Sequence, residues 1–362
     1  MSVLPDATTP PDATTSASDT SAAGAQVIVG LNAVVVAVTG EEPRVLVVRR
    51  VDHTLSRQVA PAQMVQATAA GDTALEALPF GPFDPDRHRT LNTGLRSWVE
   101  EQTDLKLGYV EQLYTFGDRG RDPMERRGGP RVVSIGYLAL VREADPSQVS
   151  GAHWQPWYHF FPWEDWRDGR PPILTERIDP LLEAWAEAAS EENLRQRRRD
   201  RIRLTFGVRG GPWNDEWVLE RYELLYEADL VPERFRAGDA EALERAAALG
   251  LGEPMVLDHR RILATAMGRL RAKIKYRPVV FELMPPTFTL LRLQRVVEAL
   301  AGVPVHKQNF RRLVERNGLV EGTGRIESQT GGRPAEVFRF REEVLLERLS
   351  PGLKLPGPRS IA

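Results

Sequence analysis

Between Pro286 and Gly318 two stretches of helical periodicity stand only a few residues apart, a pattern that leaves few folds open to this part of the chain. Pro285 and Pro286 stop whatever precedes them, and Thr287 or Thr289 can cap a helix. Leu290, Leu293, Val297 and Leu300 then recur on one helical face until Gly302 ends it. After the connector Val303 to Val305, Phe310, Leu313 and Val314 set an i, i+3, i+4 apolar stripe. Asn317-Gly318 closes this second helix as a C-cap requires.

The residues off that stripe decide what the second helix can do. Lys307, Gln308, Asn309, Arg311, Arg312 and Arg316 are cations and amides. Arg and Lys hold phosphates, whereas Arg with Gln or Asn can make paired hydrogen bonds to guanine or adenine edges in the major groove. Leu319 to Gly322 and Ala335 to Phe340 can be two strands, joined by a turn-rich loop that ends in Arg333. These features read as a winged helix-turn-helix domain over residues 278–350, with those seven residues as candidate DNA contacts. The same pattern also suits a solvated basic helix beside a hairpin in an α+β enzyme domain.

Composition bounds the remainder. A chain of 362 residues suits two or three domains. Its formal net charge is -2, so affinity for nucleic acid must come from a local patch. With no cysteine there are no disulfides or thiolate sites, and no apolar run approaches the roughly 18 residues of a membrane helix. A soluble, cytoplasmic protein is expected. Residues 1–25 contain neither Lys nor Arg and read as a disordered tail, and 351–362 as a second tail.

From Gln26 the texture is that of a sheet: QVIVGLNAVVVAVTG and RVLVVRR are β-branched runs joined by a turn at Gly40 to Pro43. Residues 58–86 show weak periodicity and are not placed. His88 to Leu105 reads as a helix with Leu91, Leu95, Trp98 and Val99 inward, and strands are expected over 108–116 and 131–141. Between them, Arg119, Arg121, Arg126 and Arg127 stand among glycines and can bind phosphate oxygens; a solvated surface loop is the other reading. The segment His153 to Trp166 holds four of the eight tryptophans and reads as core or interface, with stacking on an adenine ring as the alternative. His153 and His159 lack the company a metal site needs.

Further on, 173–189 reads as a helix, and the charged run around Arg197 to Arg199 as an exposed helix end. A strand is expected over 203–208 and a strand or helix over 214–228. Asp258 to Tyr276 is a helix that Asp258 can cap, with Leu263, Met267, Leu270 and Ile274 buried. Seven Arg or Lys from Arg260 to Arg277 are expected on its other face, carrying basic charge toward the DNA-reading module.

Taken together, RSWVEEQTDL, GYVEQLYTFGDRGRDP, LDHRRILATAMGRLRAKIKY and the pair of helices with their GGRPAEVFRF strand resemble the Nudix-related transcriptional regulators of the NrtR family, in their longer, NadQ-like branch. The resemblance spans roughly 26–340 and is weakest over 167–252. It implies an N-terminal Nudix-like α/β/α sandwich over 26–277, closed by the helix 258–276, followed by the winged helix. It also implies a homodimer on a palindromic double-stranded DNA operator that represses NAD biosynthesis genes, with NAD, ADP-ribose or ATP as effector. Arg50, Glu100, Glu101, Arg119, Arg121, Arg126 and Arg127 are then the candidate nucleotide contacts.

The sequence departs from the Nudix hydrolase pattern at informative positions. Arg96 falls on the motif's Arg, and Glu100 and Glu101 on its paired glutamates. Ser97 stands where the first Glu of that run belongs, Thr103 replaces the Gly, and His88 falls on the upstream Glu. A metal cage short of these carboxylates loses ligands and charge, which implies nucleotide binding without catalysis and no metal or catalytic cofactor. The alternative is an active pyrophosphohydrolase with an accessory winged helix. Neither a GxSxG elbow nor a GxxxxGK[ST] loop occurs.

Overall fold

The computed structural model describes residues 27–51, 74–119, 125, 128–142, 152–235, 239–328 and 334–344. Both expected tails, 1–25 and 351–362, lie outside the described residues. The longest strand, β1 (Val27–Thr39), forms an antiparallel hairpin with β2 (Glu42–Val51). At the turn, Gly40 and Glu41 both have positive φ, 59° and 64°, the geometry that matches the twist of a two-residue hairpin.

Two short strands form in the segment that periodicity could not place: β3 (Ala74–Ala77) pairs β2, and β4 (Phe80–Pro82) pairs β1. The strands β5 (Tyr109–Phe116) and β6 (Arg131–Leu140) form where expected, and they pair with each other antiparallel. β6 lies parallel to β1 from Val27↔Arg131 to Val36↔Leu140, and β7 (Ala152–Pro156) pairs β2. The result is a seven-stranded mixed sheet.

Alternation along β1 divides the interior in two. Leu31, Ala33, Val35 and Ala37 join one core with Leu95 and Val99, whereas Val34, Val36 and Val38 join another on the opposite face. The first face is covered by α1 (Leu91–Thr103), which starts in a reciprocal Thr90 and Thr93 capping box. Each fully buried Leu or Val of this kind stabilises by about 1.5–3 kcal/mol.

The second face carries the larger core. It runs from the sheet through the aromatic segment, whose Trp157, Phe160, Phe161 and Trp163 are fully buried, into the C-terminal domain. Within that segment α2 (Trp157–Phe160) follows β7, and the core reading for it holds. The helices α3 (Asp179–Glu187), α4 (Glu192–Phe206), α5 (Val218–Glu227) and α6 (Ala240–Ala248) fill the weakly matched stretch 167–252. α5 packs on α7 (His259–Tyr276), which covers the sheet as the expected closing helix. With helices on both faces, the body is an α/β/α sandwich.

Three local expectations are corrected. Residues 203–206 continue α4 instead of starting a strand, because Ile202 and Phe206 lie buried one turn apart and Gly207, at φ 63°, ends the helix. Asp258 makes no capping hydrogen bond; its carboxylate lies 3.5 Å from the Arg261 guanidinium.

The cations of α7 do not form an outward basic face. Arg260 and Arg271 have no exposure, Arg261 pairs with Glu223, Lys273 with Glu111 and Tyr109, and Lys275 with Asp215 and Glu216. Five of the seven are held inside the body, since a buried guanidinium requires carboxylate and carbonyl partners and the fold supplies them.

The domain ends in α8 (Leu290–Ala301), α9 (Lys307–Arg316), β9 (Val320–Glu327) and β10 (Ala335–Phe340), with β8 (Phe288–Thr289) completing a three-stranded sheet in the order β8-β10-β9. Of the two candidate caps, Thr289 is used: its hydroxyl accepts from Arg292 N at 3.2 Å. β9 runs to Glu327, past the expected Gly322.

Candidate nucleic-acid interface and nucleotide site

The second helix of this C-terminal domain, α9, is anchored by Phe310 and Val314, at 1% and 0% exposure. Its remaining surface faces solvent. Lys307, Gln308, Asn309, Arg311, Arg312 and Arg316 are all exposed, and none makes a hydrogen bond or ion pair among the described residues. Several exposed arginines elsewhere are engaged by carboxylates: Arg201 by Glu227, Arg209 by Glu183 and Arg245 by Glu241. A helix that holds its cations free of internal carboxylates offers them to external phosphates.

Beside it, β9 and β10 form the wing hairpin, with a register shift between Glu336 and Phe338. Arg325 and Ile326 on β9 are exposed. Sequence reasoning passed over Arg325 because it assigned that position to the loop. Arg333 lies outside the described residues.

The expected nucleotide site is described only in part. Arg121, Arg126 and Arg127 lie outside the described residues, as does the side chain of Arg50. Arg119, at the end of β5, is exposed. On α1, Glu100 lies 3.7 Å from Lys106 and Glu101 lies 3.5 Å from Arg87. No hydrogen bond or ion pair joins either glutamate to Arg119 among the described residues.

Arg96 has a structural occupation: it donates to Asn92 Oδ1 at 2.7 Å and to the carbonyls of Leu107 and Gly108, tying α1 to the strand that follows. His88 is buried; its Nδ1 accepts from Asp84 N at 3.1 Å and its ring packs between Phe83 and Trp98. These residues do not fit a divalent metal, because one of the four positions points into packing, one is a serine, and the two glutamates turn to separate cations. No group of three or more His, Cys, Asp or Glu able to hold a metal occurs among the described residues.

The C-terminal domain is a pair of helices followed by a β-hairpin wing, joined to an α/β/α body. Residues 280–340 match the family model for the NrtR DNA-binding winged helix domain, the family that the C-terminal motifs resemble. An 86-residue stretch is 39% identical to the ADPR responsive transcriptional repressor NtrR of Acinetobacter baylyi. That stretch is 24% of this chain and 34% of the relative, so the match spans about a third of the relative's length.

Among solved structures, Shewanella oneidensis NrtR complexed with a 27mer DNA matches over 87% of this chain and 94% of its own, at 21% identity and TM-score 0.49. The Nudix domain of that protein complexed with ADP ribose matches over 36% of this chain and 73% of its own, at 25% identity and TM-score 0.27. A MutT/nudix family protein from Enterococcus faecalis matches over 94% of this chain and 90% of its own, at 14% identity and TM-score 0.45. Among the described residues no helix is long and apolar enough to cross a membrane.

Proposed function

We propose that this chain is a ligand-responsive transcriptional repressor, acting as a homodimer on a palindromic operator in the cytoplasm. The observation that carries the reading is the unpartnered cationic and amide face of α9, set beside a wing hairpin. Lys307, Arg311, Arg312 and Arg316 supply phosphate contacts, and Gln308, Asn309 and one or more of the arginines read base edges. Arg333, which lies between β9 and β10 in the sequence, is a further proposed contact.

The Nudix-like body is the sensor. Its effector is an adenine nucleotide, ADP-ribose before NAD or ATP, by analogy with the curated relative described as ADPR-responsive. Arg50, Glu100, Glu101, Arg119, Arg121, Arg126 and Arg127 are the proposed contacts, with the arginines on the diphosphate. The body binds without hydrolysing, since Ser97 and the packed His88 leave the carboxylate cage incomplete. Repression of NAD biosynthesis genes is the expected output.

For an effector to change DNA affinity it must bind one arrangement of the protein better than another. The test is selection of duplexes from a random pool by the full chain, followed by anisotropy titration of the selected duplex with and without ADP-ribose. Sequence-specific binding that ADP-ribose shifts supports the reading; binding to no sequence above the random pool overturns it.

A further inference from the structure

At the C-terminal end of α8 the body grips the winged helix with three hydrogen bonds. The last carbonyls of a helix have no partner within it, and here the body supplies them. Tyr158 Oη donates to Ala299 O at 2.6 Å, Arg271 Nε donates to Leu300 O at 3.1 Å, and the Trp166 backbone N–H donates to Gly302 O at 2.7 Å. Arg271 also places a positive charge where the helix dipole is negative. Gly302 sits in the left-handed region at φ 71°, and a Cβ there would strike the Glu164 carbonyl, so nothing larger fits between the helix end and the body.

The donor side is as well held as the acceptor side. Arg271 has no exposure and is fixed by Glu164, at 2.6 Å, and by the Asp215 carbonyl, at 2.9 Å. From the helix end the connection continues into the connector, where Gln294 donates to Val305 O at 3.0 Å and Val305 N donates to Glu298 at 2.9 Å. Only the short connector separates that end from Lys307, the first residue of α9.

We propose that Tyr158 and Arg271 are positioning residues for DNA recognition: without touching DNA, they fix the orientation of α9 by holding the end of α8 against the body. The proposal rests on the regulator reading. Base-edge hydrogen bonds are directional and lose strength within a few tenths of an ångström and tens of degrees, whereas phosphate attraction tolerates a rotated helix. Loosening the clamp therefore removes sequence-specific binding while leaving non-specific binding in place.

The experiment compares wild type, Tyr158→Phe and Arg271→Lys on the wild-type selected duplex and on a scrambled duplex of equal length, with thermal midpoints recorded for each. Tyr158→Phe deletes only the hydroxyl and keeps the ring, so it tests the clamp if the lysine variant fails to fold. The expected result is about fivefold to tenfold weaker binding of the selected duplex with unchanged binding of the scrambled one. Equal loss on both duplexes means a merely structural role, and an unchanged ratio in a folded Tyr158→Phe means no role; either overturns the proposal. A wild type with no sequence preference instead sinks the regulator reading and the proposal with it.

Discussion

Arg221 grips Glu164 with two arms of its guanidinium, Nη2 reaching Oε2 at 2.8 Å, and neither side chain has any exposure to solvent. Arg271 Nη1 donates to the same Oε2 at 2.6 Å. One carboxylate thus serves two buried guanidinium groups at the junction of the aromatic segment, α5 and α7.

Removing that charge leaves two cations buried without a counterion. Glu164→Gln is expected to lower unfolding free energy by about 3–5 kcal/mol, the usual cost of breaking a buried pair from one side. Urea titration followed by tryptophan fluorescence measures it, and a loss under about 1 kcal/mol would show that the network relaxes or admits water.

The same carboxylate makes stability depend on pH. Burial alone would push the Glu164 carboxyl up, but Arg221 and Arg271 outweigh burial and hold it below the usual carboxylate range. A carboxyl lowered in the folded state contributes stability that is complete above its unfolded value, about 4.3, and is lost as pH falls through the folded value. Thermal midpoints between pH 6 and pH 3 should therefore fall more steeply in wild type than in Glu164→Gln below about pH 4.3. Parallel curves would assign acid sensitivity to other groups.

On the DNA side, Arg311→Ala with Arg312→Ala should weaken duplex binding without lowering the thermal midpoint, because both side chains are exposed and unpartnered. An arginine that reads a base is worth about 1–3 kcal/mol, whereas removing a cation that holds a phosphate reduces the salt slope by about 1. Titrations at several salt concentrations separate the two cases. Binding equal to wild type would take α9 out of the interface.

ADP-ribose should raise the thermal midpoint, a ligand at 100 times its dissociation constant adding about 2.7 kcal/mol. Arg119→Ala should reduce that shift and leave the ligand-free midpoint unchanged, since the side chain is exposed. An unaltered shift would move the sensing site away from the end of β5.

Incubation of ADP-ribose or NADH with millimolar magnesium or manganese should yield turnover far below the usual enzyme range of roughly 1–1000 per second. Product formation within that range, abolished in Glu101→Gln, would establish the hydrolase alternative.

Much of the architecture is local and was therefore legible. The strand β1, the inward Leu95 and Val99 of α1, and the stripe of Phe310 and Val314 on α9 each follow from residues within a short window, and the structure places them as expected. The exposed face of α9 was legible for the same reason: once Phe310 and Val314 point inward, geometry sends Arg311, Arg312 and Arg316 out. The boundaries that local pattern missed, at 203–208 and at the end of β9, were decided by packing and pairing with distant elements.

What the sequence determined by itself is most of the elements and the exposed cationic face of α9, because those depend on neighbours three or four positions away. The fate of the α7 cations is different. Arg260 and Arg271 carry the same composition signal as Arg269 and Arg277, yet the first two are buried and the last two are exposed. Arg271 is buried because Glu164 lies 107 positions earlier and Leu300 lies 29 later, both within hydrogen-bond reach. Only the tertiary structure brings such partners together. Burying an arginine costs too much unless carboxylate and carbonyl oxygens converge on it, so the fold alone decided which cations bind the body to the winged helix.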